Sequence, residues 1–325
     1  MAGIILLLVF VAGYAVQRGS TCAVAAVHML VEHRRAERFL SFLLCAAVAL
    51  AVMAAGALLG HDSFGHYRGS SAMLVPIAGG ALFGVGAWLN GRCAFGTIAR
   101  LGAGEAARLG TLAGFFTGFA LAARAGLVGP PLDIASPLTQ AAPAWILGGA
   151  LLAAAGLGLA MRRGGEGEGW SPLRSMGLIG LVNGTLLVIA AGWPYTNLLM
   201  DLATATGMEI VWRALMALVF IAGSLTGAFI AGTFLFDAGT LSLWGRTLAG
   251  GMLMGIGATL VPGGNDTMLL VGMPLLLPNF ILAYAAMIAV LLLVIGAKRI
   301  GTRRASILED QTVSLGVAHA QVHDQ

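Results

Sequence analysis

Long apolar stretches alternate with short polar connections along most of the chain. Most of the stretches approach the ~20 residues that a helix needs to cross a bilayer, and few carry a charge in their interior. The pattern therefore predicts an all-α integral membrane protein with about nine transmembrane helices. The predicted spans cover residues 3–17, 39–60, 73–89, 110–128, 144–161, 174–191, 212–236, 246–261 and 280–297.

Four of these spans end in a short break that contains glycine, and a short apolar segment follows each break. Interrupted backbone at membrane depth is tolerated only where it is buried in protein or lines a cavity. We therefore predict four elbows, each defined as a helix break followed by a short re-entrant half-helix. The half-helices are predicted at residues 22–31, 93–99, 195–205 and 267–273.

Two segments of the chain are near-copies, since residues 79–89 and 250–260 share seven of eleven positions at an offset of 171. Each copy precedes an elbow, so the chain is predicted to hold two repeats of four spans joined by a fifth span (4+1+4). Five crossings reverse the direction of entry, which makes this an inverted repeat. The predicted organisation is a first repeat with the connecting span at residues 1–161, a cytoplasmic linker at 162–173, a second, inverted repeat at 174–297 and a disordered cytoplasmic tail at 298–325.

Composition agrees with a membrane protein, because 58% of the residues are hydrophobic and only 10% are charged. The mean hydropathy is +0.91, whereas a soluble domain carries about 25% charged residues. The net charge of +4 does not indicate a nucleic-acid partner, because no basic run with interleaved aromatic residues is present. The lipid bilayer is the partner that this composition predicts.

The basic residues are distributed unevenly over the loops. In the nine-span pattern, thirteen Lys and Arg residues fall in loops on one side and at most three on the other. Cytoplasmic loops are enriched in Lys and Arg, so the N-terminus is predicted to be periplasmic and the C-terminus cytoplasmic. We expect a multi-pass protein of the bacterial inner (plasma) membrane.

The elbows carry the candidate chemistry. A helix N-terminus exposes free N–H groups and a partial positive charge, so several of them aimed at one point would bind an anion. Cys22 and Cys93 begin two of the half-helices, whereas Trp193 and Tyr195 at a third elbow fit an interfacial aromatic belt. The residues expected to contact the substrate are Cys22, Asn90, Gly91, Arg92, Cys93, Gly263, Gly264, Asn265 and Asp266.

Other kinds of site find less support in the sequence. The three cysteines have no paired spacing, which argues against a disulfide framework and a zinc site, and Cys45 lies in the middle of a span as a structural residue. The histidines fit no metal spacing, and no Walker motif is present. We therefore expect a protein that is not an enzyme and has no cofactor or metal.

Several of these segments together resemble the YeeE/YedE family of sulfur-compound transporters, whose best-known members take up thiosulfate. The resemblance rests on Arg18-Gly19-Ser20-Thr21-Cys22, on Asn90-Gly91-Arg92-Cys93-Ala94-Phe95-Gly96 and on the duplicated glycine-rich helices, and it covers roughly residues 3–297. It implies an hourglass-shaped inverted repeat in which cysteine thiols at a constriction pass thiosulfate along by S–H hydrogen bonds. Cys22 and Cys93 match two of the family's cysteines.

The second half departs from the family pattern, because Gly263-Gly264-Asn265-Asp266 stands where the thiosulfate transporters have a third cysteine. Asn265 could replace the missing thiol as an amide donor. A carboxylate that faces an anion in a dry site would cost several kcal/mol. Asp266 is therefore expected to cap its own helix and point away, to be protonated, or to mark a different substrate.

Three classes of function remain open from the sequence. The first is an inner-membrane transporter that imports thiosulfate or a related sulfur-containing anion through a central constriction of cysteines and half-helix N-termini. The second is a channel or carrier for another small anion or sulfur species. The third is a membrane-embedded sulfurtransferase. The basic inner face also leaves open the docking of a cytoplasmic sulfur-acceptor protein.

Overall fold

The structure, a computed structural model, describes residues 1–127, 129–161, 170–189, 193–204 and 210–323, with side chains described as far as Ile300. Nearly all regular structure in these ranges is helical. The helices are α1 (Ala2–Arg18), α2 (Ala23–His33), α3 (Glu37–Leu58), α4 (Leu74–Asn90), α5 (Ala94–Gly102), α6 (Arg108–Arg124), α7 (Pro143–Met161), α8 (Pro172–Ile189), α9 (Tyr195–Thr204), α10 (Ile210–Ile230), α11 (Leu241–Leu260), α12 (Asn265–Thr267) and α13 (Pro278–His323), with a 3₁₀ turn at Pro137–Gln140 and a π-helical turn at Met268–Gly272.

The predicted helical membrane protein is confirmed. Within the described residues, seven helical segments are long and apolar enough to cross a membrane, or eight if the bent pair Leu241–Leu260 and Asn265–Gly272 is one span. All nine predicted spans correspond to helices, and the one that falls outside this set, α6, has 17 residues. Large apolar side chains such as Trp145 and Leu152 of α7 are exposed, as expected for contact with lipid.

Two spans end earlier than the apolar pattern predicts. α6 ends at Arg124 instead of residue 128, and α10 ends at Ile230 instead of residue 236. Gly126 and Gly232 follow these ends with φ of 68° and 65°. Because a residue in the left-handed conformation terminates a helix, the glycines set the ends although apolar residues continue beyond them.

The half-helices are where the breaks predict them, at α2, α5, α9 and the pair of α12 with the π-helical turn. The first two continue their preceding helices as single candidate spans, Ala2–His33 and Leu74–Gly102. The last pair bends by 52° at its break. The elbows are thus interruptions within the helical bundle.

The two near-copies, α4 and α11, cross each other through glycines. A Cβ atom at Gly79 would lie 2.7 Å from the carbonyl oxygen of Gly257, and one at Gly86 would lie 2.7 Å from that of Gly250. Gly250 and Gly257 are the equivalents of Gly79 and Gly86 at the offset of 171, so each copy contacts the other through exchanged positions and in reversed order. An antiparallel, reciprocal contact of this kind supports the predicted inverted repeat.

The packing of the other helices shows the same exchange between the first and the second half of the chain. α11 packs on α6 while its counterpart α4 packs on α13, and α1 packs on α10 while α3 packs on α8. Let α1 to α6 correspond in order to α8 to α13. Each contact between the halves then has an equivalent contact in which every helix is replaced by its counterpart from the other half. Two halves related by a two-fold axis would produce this pattern.

The connections between helices add details that the hydropathy pattern does not contain. Arg68–Gly69 pairs antiparallel with Ile134–Ala135. Beside this pairing, the backbone N–H and hydroxyl of Ser71 donate to the carboxylate of Asp133 and hold its pKa below the ordinary value. Residues 162–169 of the predicted linker lie outside the described residues, and α13 runs on into the segment assigned to the tail.

Candidate functional site

Two cysteine thiols meet where half-helices α2 and α5 begin. Cys22 and Cys93 are the N-cap residues of these helices and have extended backbone. Their Sγ atoms are 3.7 Å apart, and the exposed fractions of the residues are 5% and 0%. Both sulfurs therefore lie at the positive ends of helix dipoles in an environment without bulk water.

The backbone of one half-helix contacts the thiol of the other. The N–H of Ala23, the first residue of α2, donates to Cys93 Sγ at 3.2 Å. Gly96 permits this approach, because a Cβ atom at that position would lie 2.6 Å from Cys22 Sγ and 2.9 Å from Cys22 Cβ. The pair of thiols therefore depends on a glycine in the first turn of α5.

The elbows of the two halves also meet each other. The N–H of Ala94 donates to Asn265 Oδ1 at 3.0 Å, and these residues are equivalents at the offset of 171. A residue that contacts its own equivalent lies close to the axis relating the repeats. The hydroxyl of Tyr195, the first residue of α9, donates to the carbonyl oxygen of Ala94 at 2.9 Å. All four elbows thus belong to one buried hydrogen-bonded cluster.

Asp266 is held within this cluster by the neighbouring half-helix. Its Oδ1 accepts hydrogen bonds from the Thr196 hydroxyl at 2.5 Å and from the Thr267 N–H at 2.9 Å, while Oδ2 lies 3.3 Å from the Thr196 N–H. The carboxyl group therefore contacts the first turn of α9 as well as its own short helix, and these contacts fix its orientation.

Asn90 is occupied by protein partners. Its Nδ2 donates to the carbonyl oxygen of Arg92 at 2.7 Å and to the Thr97 hydroxyl at 3.2 Å, and its Oδ1 accepts from Thr111 at 2.8 Å and Arg108 at 3.3 Å. These bonds fasten the elbow between α4 and α5 to α6. Arg108, the first residue of α6, is buried here and also donates to the Asn90 carbonyl oxygen.

The remaining first-half elbow residues shape the turn. α4 ends at Asn90 and Gly91 follows with φ of 76°, a left-handed C-cap that glycine adopts without strain. Arg92 is half-buried, and its Nη1 donates to the Gly91 carbonyl oxygen at 3.3 Å. The aliphatic part of Arg92 lies next to Gly96, so the guanidinium adds positive charge near the thiols.

The second-half elbow has no room for a cysteine. Gly263 has φ of 149°, which glycine adopts more readily than other residues. Gly264 is the equivalent of Cys93 and is likewise an N-cap with extended backbone. A Cβ atom at Gly264 would lie 2.6 Å from Asp266 Oδ1 and 2.8 Å from the Thr196 hydroxyl. The packing of Thr196 and Asp266 thus accounts for the glycine where the family pattern has a thiol.

Gly264→Cys is therefore expected to lower stability by about 1–3 kcal/mol, because an atom forced into a packed position displaces its neighbours. We also expect no gain of thiosulfate uptake. Thermal unfolding of the purified variant and uptake in cells provide the measurements. Gly177→Cys is the matched control, since a Cβ atom at Gly177 meets nothing within 4 Å. A Gly264→Cys variant as stable as Gly177→Cys would contradict this packing.

A small cleft lies beside Cys22. It is lined by residues that include Ser20, Thr21, Arg38 and Ser41. The buried Nε of Arg18, next to this cleft in sequence, has no hydrogen-bond partner among the described residues. Hydroxyls and an arginine beside a thiol suit a small anion.

Two aromatic residues were misinterpreted from the sequence. Trp193 and Tyr195 are buried, with exposed fractions of 5% and 6%, and do not form an interfacial belt. Trp193 Nε1 donates to Asn183 Oδ1 at 3.0 Å. Their place directly after a helix break was the available signal, because aromatic residues at a buried elbow supply both packing and a hydrogen-bond donor.

Among the described residues, no group of three or more His, Cys, Asp or Glu side chains could hold a metal ion. The functional groups at the cluster are two thiols, amide and hydroxyl hydrogen-bond donors, and the N-termini of half-helices.

The model of a protein family described as "Sulphur transport" matches residues 18–297. No curated protein matches the chain. The matched range includes every elbow and both thiols of the buried cluster.

Proposed function

Because the chain belongs to the YeeE/YedE sulphur transport family, we propose that it imports thiosulfate or a related sulfur-containing anion across the bacterial inner membrane. Membership of the family points to a membrane transporter of a sulfur compound rather than to an enzyme. In the proposal, the substrate passes a central constriction at Cys22 and Cys93. The four elbows form the walls of this constriction.

One observation carries the proposal: two buried thiols lie 3.7 Å apart at the N-termini of α2 and α5. The helix ends supply positive potential for an anion without a lysine. A neutral thiol is a weak donor that suits a polarizable sulfur atom. Weak contacts are what transport needs, because a site that binds tightly would not release its substrate.

The charges around the constriction favour passage of an anion. Asp266 is turned to the Thr196 backbone and hydroxyl, so its charge is balanced by α9. Arg92 is half-buried beside the thiols, and Arg38 and Cys22 line the same cleft. On the predicted orientation the Arg38 end is cytoplasmic, so the cleft would be the exit for an imported anion, where a cytoplasmic sulfur-acceptor protein could dock.

A second candidate is transport of a different sulfur species or small anion. It is favoured by Gly264, which stands at the position equivalent to Cys93 and has no space for a side chain. A relay of three thiols is then replaced by two thiols and the amide of Asn265. An anion with more oxygen atoms and a less exposed sulfur atom would bind more tightly to this set of donors than to three thiols.

A panel of sulfur anions on the detergent-solubilised chain tests the proposal. A ligand at about a hundredfold its Kd stabilises a protein by about 2.7 kcal/mol, so thiosulfate is expected to raise the unfolding temperature more than chloride at equal ionic strength. Uptake of ³⁵S-thiosulfate by cells with and without the chain completes the measurement. The proposal fails if no sulfur anion stabilises the protein and uptake is unchanged.

A further inference from the structure

Five buried side-chain donors have no hydrogen-bond partner among the described residues, and two of them are Asn265 Nδ2 and the hydroxyl of Tyr284. Their residues are only 1% and 3% exposed. A buried donor that stays unsatisfied costs about 1–3 kcal/mol, so such groups persist where a function needs them. Tyr284 lies on α13, far in sequence from every elbow of the first half.

The Asn265 amide is fixed at the centre of the cluster. Its Oδ1 accepts the N–H of Ala94, the residue that follows Cys93. The amide group is rigid and planar, so Nδ2 lies about 2.3 Å from that oxygen and therefore close to the start of α5. The amide is thus oriented by one hydrogen bond and has its donor free.

The Tyr284 hydroxyl belongs to the same region. The ring packs edge-to-face on Phe42 with centroids 6.5 Å apart, and Phe42 and Cys22 line the same cleft. Tyr284 is therefore next to Phe42 on the Cys22 side, and Asn265 is hydrogen-bonded to the residue that follows Cys93.

We propose that Tyr284 and Asn265 donate hydrogen bonds to the oxygen atoms of a sulfur oxyanion whose terminal sulfur contacts the Cys22 and Cys93 thiols. The inference rests on the proposed function and names the chemistry of its substrate: an anion with a soft sulfur end and a hard oxygen end. O–H and N–H groups are strong donors to charged oxygen, whereas thiols are weak donors suited to sulfur. One site then recognises both ends of the ligand.

The test distinguishes recognition of the oxygen end from recognition of the sulfur end. It measures how three competitors displace ³⁵S-thiosulfate from the solubilised full chain. These are unlabelled thiosulfate, sulfate, which has oxygen only, and hydrosulfide, which has sulfur only. We expect Tyr284→Phe to lower the affinity for thiosulfate and for sulfate by about tenfold each, or about 1.4 kcal/mol. The affinity for hydrosulfide should not change. Without ligand, Tyr284→Phe should be at least as stable as the wild type, because an unpaired hydroxyl is removed.

Two further variants sharpen the result. Asn265→Asp keeps an oxygen for the Ala94 N–H but replaces the free N–H donor by a carboxyl oxygen. It should therefore also weaken the binding of thiosulfate by tenfold or more. Tyr67→Phe is the control, because the Tyr67 hydroxyl donates to the Leu187 carbonyl oxygen outside the cluster. This control should lower thermal stability and leave the affinity for thiosulfate unchanged.

The outcomes distinguish the inference from the function on which it rests. Wild-type binding of thiosulfate with unchanged affinity in Tyr284→Phe and Asn265→Asp would overturn the inference alone. An equal loss for hydrosulfide in Tyr284→Phe would also overturn it, because the hydroxyl would then act through the thiols. If the wild type does not bind thiosulfate at all, the proposed function itself is wrong.

Discussion

Cys93→Ala is expected to reduce thiosulfate uptake at least tenfold while the amount of protein in the membrane stays normal. The substitution removes the thiol that lies 3.7 Å from Cys22 Sγ and accepts the Ala23 N–H. One hydrogen bond to a charged group contributes about 1.5–3 kcal/mol, which corresponds to a tenfold to hundredfold change in rate or affinity. Initial rates of ³⁵S-thiosulfate uptake, normalised to membrane protein, measure the effect.

Cys45→Ala is the matched control for this prediction. Cys45 is as buried as Cys93, but it lies in the interior of α3 without a helix break beside it. Both variants lose one buried sulfur atom, so any general cost of the resulting cavity is shared. Equal uptake by the two variants, whether both normal or both impaired, would contradict a special role of the thiol at the elbow.

Gly257→Val is expected to prevent accumulation of the folded protein, with a loss of stability above about 3 kcal/mol. A Cβ atom at Gly257 would lie 2.6 Å from the Gly79 carbonyl oxygen and 2.7 Å from the Phe83 backbone nitrogen. Both neighbours are backbone atoms of α4, so only separation of α4 from α11 would relieve the overlap. Membrane helices depend on such close approach because lipid offers no hydrophobic force to hold them together.

The matched control for the helix crossing is Gly148→Val. Gly148 lies in the helix α7, where a Cβ atom would meet nothing within 4 Å. The two substitutions change intrinsic helix propensity alike and differ only in the packing at the site. Size-exclusion profiles and thermal unfolding of the solubilised variants provide the comparison. Normal folding of Gly257→Val would show that α4 and α11 do not cross as described.

The mechanism proposed for the constriction depends on a difference between the two halves. The first half contributes thiols at the starts of α2 and α5, whereas the second contributes Asp266, which caps α9, and Asn265, which contacts α5. A two-fold backbone with unlike side chains can offer soft contacts on one side and hard donors on the other. A substrate with two chemically different ends would be oriented by that difference.

The spans and their breaks could be predicted from the sequence because both are local properties. A run of apolar residues needs a helix in lipid whatever surrounds it. Likewise, the repeat at the offset of 171 follows from identity alone, and Cys22 and Cys93 were found because they directly follow breaks. The ends of α6 and α10 were missed because one glycine in a left-handed conformation outweighs a continuing apolar pattern.

The roles of the polar side chains depended on partners that are distant in the chain. Asn90 was expected to bind substrate, yet its donor and acceptor atoms have partners in Thr97, Arg108 and Thr111. Tyr284 gave no signal in an apolar span, and its proposed role comes from an unpaired hydroxyl on a ring that packs against Phe42, which lines the same cleft as Cys22.

A membrane-embedded helical protein with duplicated helix breaks, two of them followed by cysteines, was thus predictable from the order of residues. The meeting of these breaks in one cluster, and the polar atoms that find partners there, became visible only in the folded chain. Hydropathy and helix termination act within one turn or one span, which is why they could be predicted. Satisfaction of a buried hydrogen bond, in contrast, is decided by whichever group folding brings within about 3 Å.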